Sequence, residues 1–156
     1  MRGEEQMSKL KIREINDEDV DTLIALWKRC GLTRPWNNPV QDIAFARISR
    51  NATVLTGWQD GQMVASAMVG HDGHRGAVYY LSVIPEKRSQ GLGRAIMSAA
   101  ENWLLEKGIE KLNIIVRGEN RKIVDFYCTL GYEVEDRVLL ARWINDKKKP
   151  TPASRR

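Results

Sequence analysis

The stretch Ala77-Val-Tyr-Tyr-Leu-Ser-Val-Ile84-Pro85-Glu-Lys-Arg88-Ser-Gln-Gly91-Leu-Gly93-Arg94 decides the reading of this chain. Its first eight residues form a near-continuous apolar run, the pattern of a central strand buried on both faces. Pro85 opens a loop, after which Leu92, Ala95, Ile96, Ala99 and Trp103 line one face of a helix that Gly108 ends. A glycine loop that follows a strand and opens a helix makes an anion site. Gly91 and Gly93 allow close backbone approach, the first helical amides have no partner within the helix, and the helix dipole adds partial positive charge. Arg88 and Arg94 can add formal charge, so the expected ligand is a phosphate or pyrophosphate.

Three phosphate loops compete for this segment. A Walker loop needs Gly-Lys-Ser/Thr, which is absent. The dinucleotide fingerprint needs a small residue three positions after its second glycine, where this chain has Ile96, and the expected acidic residue after a second strand is missing. The acyl-coenzyme A pyrophosphate loop, Arg/Gln-x-x-Gly-x-Gly/Ala, is matched at every specified position by Arg88-Ser-Gln-Gly91-Leu-Gly93. Six residues alone are also compatible with a glycine-containing helix entry that binds nothing.

Outward from this segment, the chain alternates short strand and helix patterns. Residues 9–15 read as a strand, and Asn16-Asp-Glu-Asp19 supplies caps and first-turn acids for a helix. Val20, Leu23, Ile24 and Trp27 fall on one face of that helix, which Gly31 stops. Pro35 and Pro39 make residues 33–39 irregular, and a second helix is expected over 40–49. Residues 52–59 and 62–70 are two strands joined at Asp60-Gly61, a strong hairpin signal. Beyond the central segment, 111–116 is a β run. Ile123, Phe126, Tyr127 and Leu130 mark a last helix ended by Gly131, and 132–144 is expected to supply one or two closing strands. The strand–helix–strand unit over 78–116 requires two parallel strands with a right-handed crossover, and the hairpins make the rest antiparallel. The expected class is a mixed α/β (α+β) fold.

The chain has 156 residues, suited to one domain with a substantial core. We divide it into a flexible start (1–8), a single domain (9–146) and a basic tail (147–156). The formal charge of +5 invites a nucleic-acid reading, yet the tail carries five basic residues and no acid, which leaves 20 basic and 20 acidic residues before it. The basicity is therefore read as a solvated, disordered tail, and nucleic acid is not the expected partner. Two cysteines, Cys30 and Cys128, make neither a disulfide framework nor a zinc pattern, so no metal is expected and a reducing cytoplasmic setting is. No apolar run is long enough to cross a bilayer, and no membrane partner is expected.

With these motifs in hand, the sequence resembles the GNAT superfamily of acyl-CoA N-acetyltransferases. The carriers are Tyr79-Tyr-Leu-Ser-Val-Ile-Pro85, the loop after it, and Asn120-Arg-Lys-Ile-Val-Asp-Phe-Tyr127-Cys-Thr-Leu-Gly-Tyr132, in family order and spacing. Leu26-Trp-Lys-Arg-Cys30, Arg34-Pro-Trp-Asn37 and Asp72-Gly-His-Arg-Gly76 make it most similar to the bacterial YpeA-type branch. The resemblance spans about residues 10–144. It implies a mostly antiparallel twisted sheet flanked by about four helices, with two parallel central strands splayed into a cleft. It also implies acetyl-CoA as co-substrate. Leu81, Ser82 and Val83 would hold its pantetheine arm and acetyl carbonyl, and the amides of Arg88, Ser89, Gln90, Gly91, Leu92, Gly93 and Arg94 its pyrophosphate. Asn120 would contact the cofactor arm, and Tyr127 would protonate the departing thiolate.

The chemistry suits those roles. Direct attack of an amine on the thioester needs a preformed N–H donor for the oxyanion, plausible at Val83, and a phenol for the leaving sulfur, but no protein nucleophile. Each residue also has a plainer reading: Tyr127 as a core aromatic, Asn120 as a helix cap, Arg94 as helix surface. Some members of the superfamily carry a Glu on the central strand where this chain has Val78-Tyr-Tyr-Leu, so the general base is unassigned; Asp72, His74 and Glu86 are the nearest alternatives in sequence. Arg34, Trp36, Asn37 and Asp72 are expected to line the acceptor pocket, with Arg34 suited to a carboxylate and Pro35-Trp36 equally able simply to pack the loop. The acceptor is a small-molecule amine or a protein or peptide amine, and a homodimer stays open. The expected activity is acetyl transfer from acetyl-CoA to a primary amine. The competing reading is a non-catalytic acyl-CoA-binding or partner-binding module on the same fold.

Overall fold

A computed structural model describes residues 8–152. The expected flexible start, apart from residue 8, and the end of the basic tail lie outside the described residues. Residues up to Thr33 together with Pro39–Ile114 form one compact unit, and Arg34–Asn38 with the chain from Ile115 onward form another.

The first unit contains a five-stranded sheet in the order β1-β2-β3-β4-β5: β1 (Lys11–Glu14), β2 (Ala52–Gln59), β3 (Gln62–His71), β4 (Gly76–Val83) and β5 (Leu112–Asn113). The first three neighbouring pairs are antiparallel, and β4 runs parallel to β5. The β2–β3 hairpin turns at Asp60 (φ 49°) and Gly61 (φ 74°), two left-handed residues whose twist matches the flanking strands. Helix α1 (Val20–Arg29) follows a single 3-10 turn over Asp17–Asp19, in which the Asn16 N–H donates to Asp19 Oδ2 at 2.9 Å. Arg13 holds the same carboxylate with Nη1 at 2.6 Å and pulls its pKa below the ordinary range. Helices α2 (Pro39–Ile48) and α3 (Leu92–Glu106) complete the unit.

β2 and β3 are the strands buried on both faces. Ser66 meets Trp27 of α1, while the next residue back, Ala65, lies beside Gly57 in the contact zone of Ile96 from α3. Successive strand residues point to opposite faces, so α1 and α3 cover opposite sides of the sheet. Leu23, Trp27, Ile43, Val54, Val64, Val69, Ile84, Ile96 and Met97 are almost fully enclosed, each contributing roughly 1.5–3 kcal/mol or more of apolar burial.

Three expectations need correction. Double burial belongs to β2 and β3 and not to β4, where Tyr79 is 54% exposed. The apolar run did not reveal which strand the helices flank. The parallel pair closes one end of the sheet order and does not lie at its centre; its ladder covers only Gly76–Leu112 and Ala77–Asn113, and β4 continues to Val83 without β5. Residues 132–144 make no ladder among the described residues, although Val134, Val138 and Leu140 are exposed apolar groups. Alternation favours extended backbone, but a strand exists only where a neighbour takes its hydrogen bonds. A local bond from the Arg137 N–H to Glu135 O (3.0 Å) turns the chain there instead.

Gly76 shows why the parallel pair begins where it does. A Cβ at this position would lie 2.5 Å from Leu104 Cδ1 and 2.9 Å from Cδ2, and Leu104 is buried in α3. Gly76→Ala is expected to destabilise the protein by about 1–3 kcal/mol, the range for overpacking, read as a lowered denaturant midpoint. An unchanged midpoint would show that Leu104 yields freely.

The second unit contains helix α4 (Arg121–Thr129). Asn120 caps it, its side chain accepting from the Ile123 N–H at 3.4 Å. In the tail, Asp146–Lys148 forms a 3-10 turn capped by Asn145.

Candidate active site

In the first unit, β4 and the start of α3 bring together the residues expected to face an acyl thioester and its pyrophosphate. Along β4 the pairing with β3 slips: Met68 opposes Tyr79, Ser66 opposes Ser82, and Ala67 faces both Tyr80 and Leu81. This is a β-bulge with the extra residue on β4. Tyr80 adopts φ 54°, a left-handed conformation uncommon for a bulky side chain.

Beyond the bulge the register fixes the direction of the backbone groups. The Ile84 N–H donates to Val64 O at 2.9 Å, so in an antiparallel ladder the N–H and C=O of Val83 face away from β3. The carbonyl confirms this, accepting from Arg88 Nε at 3.3 Å and from Cys30 Sγ at 3.4 Å. The Val83 amide thus points to the side where β5 has already left the sheet. Ser82 turns the other way and is buried, its hydroxyl 2.5 Å from that of Ser66.

The loop after β4 is shaped for an anion. Pro85–Lys87 forms a 3-10 turn, Ser89 (φ 63°) and Gly91 (φ 81°) are both left-handed, and Gly91 is the N-cap of α3. The Ala95 N–H is bonded to Gly91 O at 3.1 Å, so the amides of Leu92, Gly93 and Arg94 stand before the helical ladder at its positive end. No acidic residue occupies the first turn of α3. A Cβ added at Gly91 would meet nothing within 4 Å, so the space beside the N-cap is open.

Asp72 and Glu86 already have partners. Asp72 Oδ1 accepts from the N–H groups of Arg75 and His74, each at 2.8 Å, and these bonds hold its pKa below the ordinary carboxylate range. Glu86 is likewise lowered, by its own backbone N–H and then by Arg29, whose Nη2 reaches both carboxylate oxygens at 3.0 and 2.7 Å. Carboxylates held in the charged form are weakened as bases.

The second unit contains the remaining expected residues: Asn120, Tyr127 and the loop with Arg34, Trp36 and Asn37. That loop is a turn closed by the Asn37 N–H on Arg34 O at 3.1 Å. Tyr127 is buried between Phe126 and Tyr132, with ring centroids 5.2 and 5.6 Å away and both pairs edge-to-face. Burial pushes its phenol up to about 12, so it is protonated throughout the neutral range. Its folded pKa lies above the ordinary value of about 10, so the unfolded chain releases the proton first. Stability should therefore fall as the pH rises from about 10 to about 12, by roughly 2–3 kcal/mol at the upper end. Tyr127→Phe should remove that increment; parallel wild-type and variant curves against pH would refute the shift.

Sequence reasoning named Trp27 only as a core residue and passed over Tyr80, Ser66 and Asp42. The structure joins them. Trp27 stacks on Tyr80 with centroids 3.9 Å apart and planes 5° from parallel, Trp27 Nε1 donates to Ser66 Oγ at 3.1 Å, and the Tyr80 hydroxyl donates to Asp42 Oδ2 at 2.7 Å. No periodicity reports a positive φ at a tyrosine, so the sequence carried no signal for this group.

Among the described residues, no helix is long and apolar enough to cross a membrane, and no group of three or more His, Cys, Asp or Glu could hold a metal ion. A bulged strand followed by a positively polarised helix entry is an arrangement suited to an anionic ligand. The sequence model of the acetyltransferase (GNAT) family matches residues 12–132, and the chain belongs to that family. It is an acetyl-CoA-dependent acetyltransferase. An acetyltransferase of Sodalis glossinidius is 40% identical over 141 residues, covering 89% of this chain and 99% of the relative. A Yersinia pestis acetyltransferase is 38% identical over 133 residues, covering 85% and 94%. Among solved structures, aminoglycoside acetyltransferase AAC(6')-Iy with a bisubstrate analogue of CoA and acetylneamine has a TM-score of 0.77 at 19% identity, covering 87% of this chain and 99% of that one. A Clostridium acetobutylicum acetyltransferase with acetyl-CoA has a TM-score of 0.69 at 14% identity, covering 86% and 96%. These likenesses show the fold.

Proposed function

We propose that the protein moves an acetyl group from acetyl-CoA to a primary amine by direct attack of the amine on the thioester carbon. The observation that carries this reading is the Val83 amide, turned off the sheet at the point where β4 loses its parallel neighbour and just before the anion-shaped loop. In this reading the amides of Arg88–Arg94 hold the pyrophosphate, and the backbone of Leu81 and Val83, with Asn120, holds the pantetheine arm. Ser82 contributes neither side chain nor backbone, since its side chain is turned into the core and its backbone faces β3.

As the amine nitrogen bonds to the carbonyl carbon, the oxygen gains negative charge and the Val83 N–H stabilises it. Collapse breaks the carbon–sulfur bond. Tyr127, kept neutral by its burial, gives its proton to the leaving sulfur, and the proton lost by the new amide nitrogen restores the phenol. With Asp72 and Glu86 already charged and engaged, the amine enters as its free base or loses its proton to water.

The proposed acceptor is a small-molecule amine, and Arg34, Trp36, Asn37 and Asp72 are the residues proposed to bind it. Support comes from the fold shared with an aminoglycoside acetyltransferase. A reducing cytoplasm fits two free thiols, Cys30 and Cys128. The test is acetyl-CoA titration by calorimetry followed by thiol release over a panel of amines. Release on some amine is expected. Binding without release on any amine would favour a non-catalytic acyl-CoA sensor, and absence of binding would overturn the loop assignment.

A further inference from the structure

We propose that Tyr80, clamped by Trp27, Ser66 and Asp42, is a positioning residue that holds the β4 bulge open and so sets the direction of the Val83 amide. The inference rests on the reading that this amide faces the acyl carbonyl.

Tyr80 is gripped at three separate points. Its ring lies on Trp27, and its hydroxyl donates to Asp42 on α2. Its carbonyl oxygen accepts from Ser66 Oγ at 3.4 Å. The Ser66 hydroxyl has three partners in this arrangement. It receives the Trp27 Nε1–H, shares a hydrogen bond with the Ser82 hydroxyl, and reaches the Tyr80 carbonyl. Trp27 is fully buried, so the ring beneath Tyr80 is fixed by the core of the protein.

This grip matters because φ 54° is unfavourable for any residue with a Cβ. A relaxed φ at Tyr80 would remove the extra residue from β4 and slip the register by one. Such a slip exchanges the two sides of a strand: Val83 would turn its N–H toward β3, and the outward position would pass to a neighbouring residue. The clamp therefore selects which amide of β4 is presented. Local strain held in place by surrounding contacts is a known device of functional sites.

The test compares Tyr80→Ala with Tyr80→Gly. Both lose the ring and hydroxyl contacts, but only glycine adopts a positive φ without strain. Glycine is otherwise the poorer strand residue, so a merely structural role predicts that alanine is the better replacement. We expect Tyr80→Ala to lower kcat for thiol release about 10- to 100-fold, with KM for acetyl-CoA within about threefold of wild type. Tyr80→Gly should recover several-fold of that loss. In the ligand-free protein, the Val83 amide resonance should move in the alanine variant and stay near its wild-type position in the glycine variant.

Equal kcat in the two variants, or an unmoved Val83 amide in Tyr80→Ala, overturns the proposal. If Tyr80→Ala does not fold, Asp42→Ala removes the hydroxyl anchor from a half-exposed position, and a several-fold fall in kcat at constant KM is expected; no fall overturns the proposal. Wild-type protein that releases no thiol with any amine defeats the functional reading, and the amide comparison still decides the clamp.

Discussion

Gly91→Glu is expected to weaken acetyl-CoA binding at least about 100-fold, equivalent to some 2.7 kcal/mol or more. Two effects act together. Gly91 sits at φ 81° as the N-cap of α3, where a side chain imposes strain on the turn that aims the following amides. The introduced carboxylate then occupies the open space in front of those amides and repels the pyrophosphate. Gly91→Ala separates the two, because it carries the strain without the charge, and should lose much less. Calorimetric titration of both variants reads the difference. Normal binding by a folded Gly91→Glu protein would place the pyrophosphate elsewhere.

Tyr127→Phe should lower kcat by about 100-fold, the lower end of what a positioned general acid contributes, while KM for acetyl-CoA changes less than threefold. Phenylalanine keeps the edge-to-face packing against Phe126 and Tyr132 and removes only the hydroxyl. The buried aromatic is thereby preserved and the acid deleted, which distinguishes the two readings of this residue. A core role alone predicts an unchanged rate. Leaving groups of lower pKa need less help, so an acetyl donor with a more acidic thiol should recover part of the lost rate in the variant.

Much of the fold was legible in the chain because it is written in local chemistry. Asp60-Gly61 required a hairpin, Gly31, Gly108 and Gly131 ended helices, and Arg88-Ser-Gln-Gly91-Leu-Gly93 marked a helix entry that the structure places at the start of α3. Less was legible where identity depends on a distant partner. An apolar run at 77–84 suggested a strand covered on both faces, yet β2 and β3 have that position, since coverage is decided by where the helices pack. Residues 132–144 were expected to supply one or two closing strands, and no partner among the described residues takes up their hydrogen bonds.

The candidate site divides along the same line. The sequence by itself determined the family, the parallel crossover and the glycine-marked helix entry, because glycine position, helix capping and strand order are properties of neighbouring residues. Only the tertiary structure decided that Tyr80 is left-handed and that Val83 presents its amide outward. It also decided that Asp72 and Glu86 are already engaged. Apart from the local turn that engages Asp72, each of these depends on a contact across many residues of chain, such as Trp27 on Tyr80 or Arg29 on Glu86. The energy of such contacts is absent from local propensity and appears only when the packed core brings the partners together.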